Sequence, residues 1–243
     1  MRKLFKTIFR KLGLDLNRCD PTKMWLDVAD TPHGRRAAIL KENSIDLVLD
    51  VGAHKGWYSA DLRAFGYTGR IISFEPQLAP FQELEKRSCD DPLWEVSRNA
   101  LGDIDDTAIL HVSGSPESSS LLDILPAHTE ALTNSKVIGK EEISVSRLDS
   151  IFDQYCNPSD RVFLKMDVQG FEKKILAGAG VCLDRILGIQ MEMSLKPLYD
   201  GEALFHELYN ELLDKGFKLV WTEPGFRNEE SGELLQLDGI FIR

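Results

Sequence analysis

Between residues 45 and 195 two spacings of apolar residues take turns along the chain. Short, nearly continuous apolar runs such as "IDLVLDV" (45–51) suit parallel strands buried on both faces. The stretches between them carry apolar residues three and four apart, the period of a helix lying on a sheet. The expected order is a strand at 45–51, a helix from Trp57 to Phe65, and a strand at 69–76 stopped by Pro76. A helix at 78–88 follows, then a strand with its exit turn at 93–103 ("LWEVSRNALGD").

Residues 104–150 break the rhythm. "TAILHVS" (107–113) and "EEISVSRLDSI" (141–151) read as strands around a Ser-, Pro- and Thr-rich stretch at 114–135. So long a connection inside a compact domain points to a functional loop or cap. The alternation then returns: a strand and turn at 161–170, a helix at 171–179, a strand at 186–194 and an amphipathic helix at 202–216 closed by Gly216. The last two strands, "FKLVWTE" and "LQLDGIFIR", have only a loop between them, which demands antiparallel pairing. Strands alternating with helices imply a doubly wound, mostly parallel sheet. No repeat or linker interrupts residues 45–243, read as one domain behind an N-terminal helical extension at 1–44.

Composition changes this picture only at the ends. The chain has 243 residues and a formal net charge of -10. Residues 1–12 hold five of the 29 cations and no acid, so the remainder carries 24 cations against 39 acids. An acidic body repels phosphates, so nucleic acid is not an expected partner. "MRKLFKTIFRKLG" places Leu4, Phe5, Ile8, Phe9 and Leu12 on one helical face. A basic amphipathic helix of this kind can lie on an anionic membrane, or dock on its own domain or a second subunit. The expected location is the cytoplasm, with residues 1–13 as the candidate contact to the inner membrane surface. No stretch approaches the ~18 apolar residues of a membrane span, and charges interrupt any signal-peptide core. Cys19, Cys89, Cys156 and Cys182 are scattered and form no C-x-x-C pair, so free thiols are expected rather than a zinc or redox site.

The chemistry concentrates at "LVLDVGAHKGWYS" (47–59), where an apolar strand meets a glycine-bracketed turn and a helix. Glycines there let a ligand approach the backbone. Glu75 ends the next strand 25 residues after Asp50, where an acid can accept hydrogen bonds from two ribose hydroxyls. Together they point to an adenosine-bearing cofactor. The dinucleotide spacing G-x-G-x-x-G is absent, and Asp50 at the turn entrance is awkward beside a pyrophosphate. It suits a ligand with an ammonium and a sulfonium, S-adenosylmethionine. An NAD-type oxidoreductase and a non-catalytic binding or scaffold protein are the alternatives.

At this point the sequence resembles a known family. "VLDVGAHKGWYS", "IISFEP", "NALGD", "SRLDSI" and "FLKMDVQGFEKKILAGA" are similar, in order and spacing, to the successive blocks of FkbM-type methyltransferases. The resemblance covers roughly residues 45 to 195. It implies a Rossmann-like class I methyltransferase sheet, S-adenosylmethionine as cofactor, and O-methylation of hydroxyls on saccharides and natural products. Many members carry Glu where Gln169 stands, and Asn and Ile-like residues are common at His54 and Lys55.

By position, Gly52, Ala53 and Gly56 present backbone to the methionine part of the cofactor, with Asp50, His54 and Ser59 beside them. Glu75 and Pro76 take the ribose. Asn99, Ala100 and Leu101 lie where the adenine belongs, and Asp103 either contacts the adenine or forms a turn. Asp167 ends its strand above the sheet and is expected near both cofactor and transferred methyl group, as the general base. Lys165 shares its strand face and is, with Glu192, a further catalytic candidate, or it can instead pair with an acid. Glu172 reads as a site acid or a first-turn helix acid. Glu192, a charge inside an apolar strand, needs a partner and can converge on Asp167. A divalent ion between these two is an alternative, but no ligand set specific to a metal is present and none is assigned. Ser118, Ser119 and Ser120 can close over the site. His111, His128 and His206 are isolated, and His206 is read as structural. The expected partner is a small-molecule or glycan hydroxyl acceptor.

Overall fold

The computed structural model describes residues 31–243. The basic stretch 1–13 and Cys19 lie outside them. The first described helix, α1 (Pro32–Glu42), has Pro32 in its first turn and the Thr31 hydroxyl accepting from the Gly34 N–H at 3.1 Å.

Strand β1 (Leu47–Val51) is buried at every position, as its unbroken apolar run requires. It is flanked by β2 (Arg70–Phe74) on one side and β7 (Val162–Met166) on the other, both parallel to it. β3 (Trp94–Ser97) extends the sheet beyond β2, and β8 (Ile186–Ser194) beyond β7, also in parallel. β10 (Gln236–Ile242) then pairs antiparallel with both β8 and β9 (Lys218–Pro224). The full order is β3-β2-β1-β7-β8-β10-β9. The chain therefore builds outward from β1 in one direction, then returns to build in the other. That reversal opens a crevice beyond the strand ends, between β1 and β7.

One face of the sheet packs on α1, α2 (Trp57–Ala64) and α3 (Leu78–Ser88) through Ile39, Leu40, Leu62 and Leu84. The other packs on α5 (Leu148–Tyr155), α6 (Glu172–Ala179) and α7 (Phe205–Asp214) through Phe152, Ile175, Leu176, Leu208 and Leu212. Cys156 and Cys182 lie in that second core as free thiols, and Cys89 is an exposed one.

Two expectations differ in detail. The run 93–103 is two strands, not one. β3 pairs with β2 as far as Ser97, and after Asn99 the chain leaves the main sheet as β4 (Ala100–Gly102). β4 joins a second sheet, β4-β6-β5, with β5 (Asp106–Ser113) and β6 (Val137–Arg147). Likewise, "SRLDSI" is strand only to Arg147. Leu148, Phe152 and Tyr155 then fall at i, i+4 and i+7, the buried stripe of α5. The stretch 114–135 includes the short helix α4 (Pro126–Ala131) and packs Leu122, Ile124, Ala127 and Ala131 against a small apolar cluster of Leu198, Tyr199 and Leu235.

Candidate active site

The exit turn of β1 starts at Gly52, whose φ of 72° already favours glycine. A side chain there would collide with the main-chain carbonyl of Asp167. Asp167 N–H in turn donates to the Val51 carbonyl at 3.1 Å. The turns after β1 and β7 thus touch main chain to main chain. Both carry strained residues: His54 (φ 49°) and Gln169 (φ 56°) adopt left-handed backbone without being glycine.

Below the turns, register explains a buried ion pair. Asp50 stands directly across from Lys165 on β7 and from Ser73 on β2, so all three side chains leave the same face. Asp50 is fully buried and its Oδ1 lies 3.1 Å from Lys165 Nζ. Its Oδ2 accepts from Ser59 Oγ at 2.7 Å and Ser73 Oγ at 3.3 Å. Lys165 also donates to the Gly52 carbonyl at 3.2 Å and reaches Asp167 Oδ2 at 3.8 Å. Burial acts to lower the Lys165 pKa, but Asp50 and Asp167 outweigh it and hold it above its ordinary value. Asp50, Ser59 and Lys165 therefore sit beneath the crevice as its foundation. Gly56 packs against Leu84 and Trp94, and Ala53 is buried beside it.

The crevice itself encloses about 730 Å³, its open mouth included. Gly52, His54, Glu75, Pro76, Asn99, Ala100, Leu101 and Asp167 line it, so eight of the expected residues meet on one surface. Glu75 Oε2 accepts from the His54 N–H and Oε1 from the Gln77 N–H, each at 2.8 Å. Burial nevertheless pushes its carboxyl up to about 7. Burial also lowers the His54 pKa, so the ring is neutral at pH 7. Two polar atoms of crevice-lining residues, His54 Nε2 and Asn99 Oδ1, are buried without a hydrogen-bond partner among the described residues. Unsatisfied donors and acceptors beside a cavity are what a polar ligand would complete. The residues present therefore fit an adenosine ligand: Glu75 for the ribose, Asn99 Oδ1 for an amino group, and the Gly52 turn for a close backbone approach.

On the acceptor side, Gln169 Nε2 donates to both Asp167 Oδ1 and Glu192 Oε2, each at 2.9 Å. Asp167 and Glu192 are thus brought together through an amide. Burial, then the charges of Asp167, Asp238 and Glu172, hold the Glu192 carboxyl well above its usual range. Glu172 is buried; its Oε1 accepts from the Val168 N–H at 3.1 Å, and burial pushes it up to about 8. It braces the turn rather than lining the crevice.

Other expected residues lie elsewhere. Asp103 pairs with Lys174 at 2.8 Å, outside the crevice. Ser119 and Ser120 line the crevice, and Ser120 Oγ donates to the Gln169 carbonyl at 2.7 Å. His128 is buried with its Nδ1 2.9 Å from Ser135 Oγ, His111 pairs with Asp123, and His206 is exposed on α7. Sequence reasoning missed Gln77, Leu110, Glu117, Ile143 and Phe171, which also line the crevice, and Tyr199 behind it. Leu110 and Ile143 carried no signal, because they reach the site only through the second sheet. Among the described residues no group of three or more His, Cys, Asp or Glu side chains is arranged to hold a metal ion. Nor is any described helix long and apolar enough to cross a membrane.

The fold is shared with solved structures. A putative methyltransferase from Thermobifida fusca is 12% identical, covers 86% of this chain and 77% of its own, and superposes with a TM-score of 0.51. The methyltransferase domain of the bacterial protein CtHen1 is 12% identical over 87% of this chain and 97% of its own, at a TM-score of 0.48. A search of curated proteins finds no match. The model of the Methyltransferase FkbM domain matches residues 50–219, more than half the chain. By that match the chain, whose sheet is built outward from the strand of Asp50, belongs to the FkbM methyltransferase family.

Proposed function

We propose that the protein is an S-adenosylmethionine-dependent O-methyltransferase acting on a hydroxyl of a saccharide or other small molecule. The observation that carries this reading is the charge of the crevice. Among the described residues its lining includes Glu75, Glu117 and Asp167 and no lysine or arginine. Such a wall disfavours a dinucleotide pyrophosphate, which needs donors and positive charge. It favours a ligand with an ammonium and a sulfonium.

S-adenosylmethionine supplies an electrophilic methyl group: a carbon–oxygen bond forms as the carbon–sulfur bond breaks with its electron pair left on sulfur. The chain's residues do the rest. Glu75 anchors the ribose and leaves the cofactor in one orientation. Asp167, on a turn locked to the cofactor turn, is the group assigned to take the proton that the acceptor hydroxyl loses. Holding acceptor and methyl carbon in line supplies much of the rate. A hydroxyl acceptor needs only one such base, and the family resemblance adds saccharides and natural products as its source.

Calorimetric titration with S-adenosylmethionine, S-adenosylhomocysteine and NAD tests this. Micromolar binding of the first two, absent for NAD and lost in Glu75→Ala, is the expected result. Failure of the wild type to bind either adenosyl ligand would sink the reading and leave a scaffold role.

A further inference from the structure

We propose that Gln169 is a positioning residue of the transfer site: its carboxamide, oriented by the Tyr199 hydroxyl, clamps Asp167 by Oδ1 and leaves Oδ2 as the atom that receives the acceptor proton. The role given to Asp167 rests on the methyl-transfer reading above; the clamp itself rests on geometry.

The two ends of the amide meet different partners. Its Nε2 has two hydrogens, and two carboxylate oxygens, Asp167 Oδ1 and Glu192 Oε2, stand 2.9 Å from it. Its Oε1 accepts from the Tyr199 O–H at 2.5 Å. The reverse orientation would set a carbonyl oxygen against the Asp167 and Glu192 oxygens and give up the bond that the Tyr199 O–H donates to Oε1. Tyr199 is fully buried, and its ring stacks edge-on against His128 at 5.2 Å. The hydroxyl that sets the amide is therefore itself immobile. The Gln169 backbone is fixed too, by Ser120 Oγ at its carbonyl, and its left-handed φ is strain the surroundings must hold.

The consequence is an assignment of oxygens. Asp167 Oδ1 and Glu192 Oε2 must both act as acceptors, so neither carries a proton. Glu192 Oε2 also accepts from Gln236 Nε2 at 3.0 Å. Among the described residues Asp167 Oδ2 has only Lys165 Nζ, at 3.8 Å, and the side chain is 44% exposed. The proton leaving the acceptor hydroxyl goes to that oxygen. A glutamate at position 169 would remove both donated hydrogens and add a like charge.

The charged groups around the pair come from every packed element. Lys165 faces Asp167 from β7, and His54 from the β1 turn. Glu172 faces the pair from α6 and Asp238 from β10, while Glu202 lies beside Tyr199 in the β8–α7 loop. None of these touches both carboxylates as Gln169 does.

Carbon-13 NMR titration of the carboxyl groups tests the clamp, with the Asp167 resonance assigned by its loss in Asp167→Asn. Tyr199→Phe removes a hydroxyl that has no hydrogen bond to Asp167, yet it should raise the Asp167 midpoint by roughly 0.5 in pH, because the freed amide donates less. That change should vanish in a Gln169→Leu background. Gln169→Glu should raise the midpoint by about 1 in pH or more. A Tyr199→Phe effect of equal size in the Gln169→Leu background, or no effect in either single variant, overturns the proposal. Should the Gln169 variants fail to fold, the wild-type side-chain amide decides. Its two Nε2 protons should be slow to exchange and should move with the Asp167 titration; one averaged, freely exchanging signal overturns it. The titration is run with and without S-adenosylhomocysteine, so a protein that binds no cofactor still answers the question.

Discussion

Glu75 shows how one side chain can be both held and available. Its two oxygens already accept from the His54 and Gln77 N–H groups, which fixes the carboxylate plane. Ribose hydroxyls must meet its remaining lone pairs, and these are fully open only in the ionised form. Because burial raises its pKa to about 7, the acid is half-protonated at neutral pH in the free protein. Affinity for S-adenosylhomocysteine should therefore fall as pH drops below 7, by at most about tenfold for each step of one in pH. Calorimetry between pH 5.5 and 8.5 checks this; a flat profile would place the ribose elsewhere.

Among the elements, α1 meets the sheet edge through a charged pair as well as through its apolar face. Arg36 NH2 donates to Glu223 on β9 at 2.7 Å, with side chains 9% and 13% exposed, and its guanidinium lies 4.7 Å from the centre of the Tyr58 ring. Removing one partner leaves a buried charge alone. Arg36→Ala should cost about 3 kcal/mol, and adding Glu223→Gln should return part of it, as urea unfolding would show. Elements differed in how far the sequence disclosed them. β1, β8 and α3 were readable because burial on two faces, or a clean amphipathic period, writes itself into composition. The split between β3 and β4 was not, since both halves are short and the break at Arg98–Asn99 is set by β6, a partner more than forty residues away. Within the site, Asp50, Gly52, Glu75 and Asp167 stood out because acids and glycines at strand ends have few other reasons to be there. Tyr199 had no such mark: an aromatic residue in a loop acquires its role only from the amide it meets.

At the scale of the whole molecule, carboxyls with raised pKa values gather on the side of the sheet where the parallel strands end. Asp238 is pushed up to about 6, Glu75 to about 7 and Glu172 to about 8, all mainly by burial, and Glu192 rises with them. The folded chain thus binds more protons than the unfolded one between the ordinary values, near 4, and these. Their stabilisation is complete below that window and is lost as pH rises through it. The free protein should unfold at progressively lower temperature from pH 5 to pH 8, each tenfold difference in proton affinity between folded and unfolded chain being worth about 1.4 kcal/mol. Scanning calorimetry would contradict this if the melting temperature climbed instead. A cationic ligand should stabilise more at pH 8 than at pH 6. The main-chain contact of Gly52 with Asp167 sets a different kind of limit. Anyone who recruits this scaffold to methylate a new compound inherits two turns that cannot be varied separately, because a change in one displaces the other. Diversity is better placed in residues 116–121, which hang from the second sheet and touch those turns through the Ser120 hydroxyl.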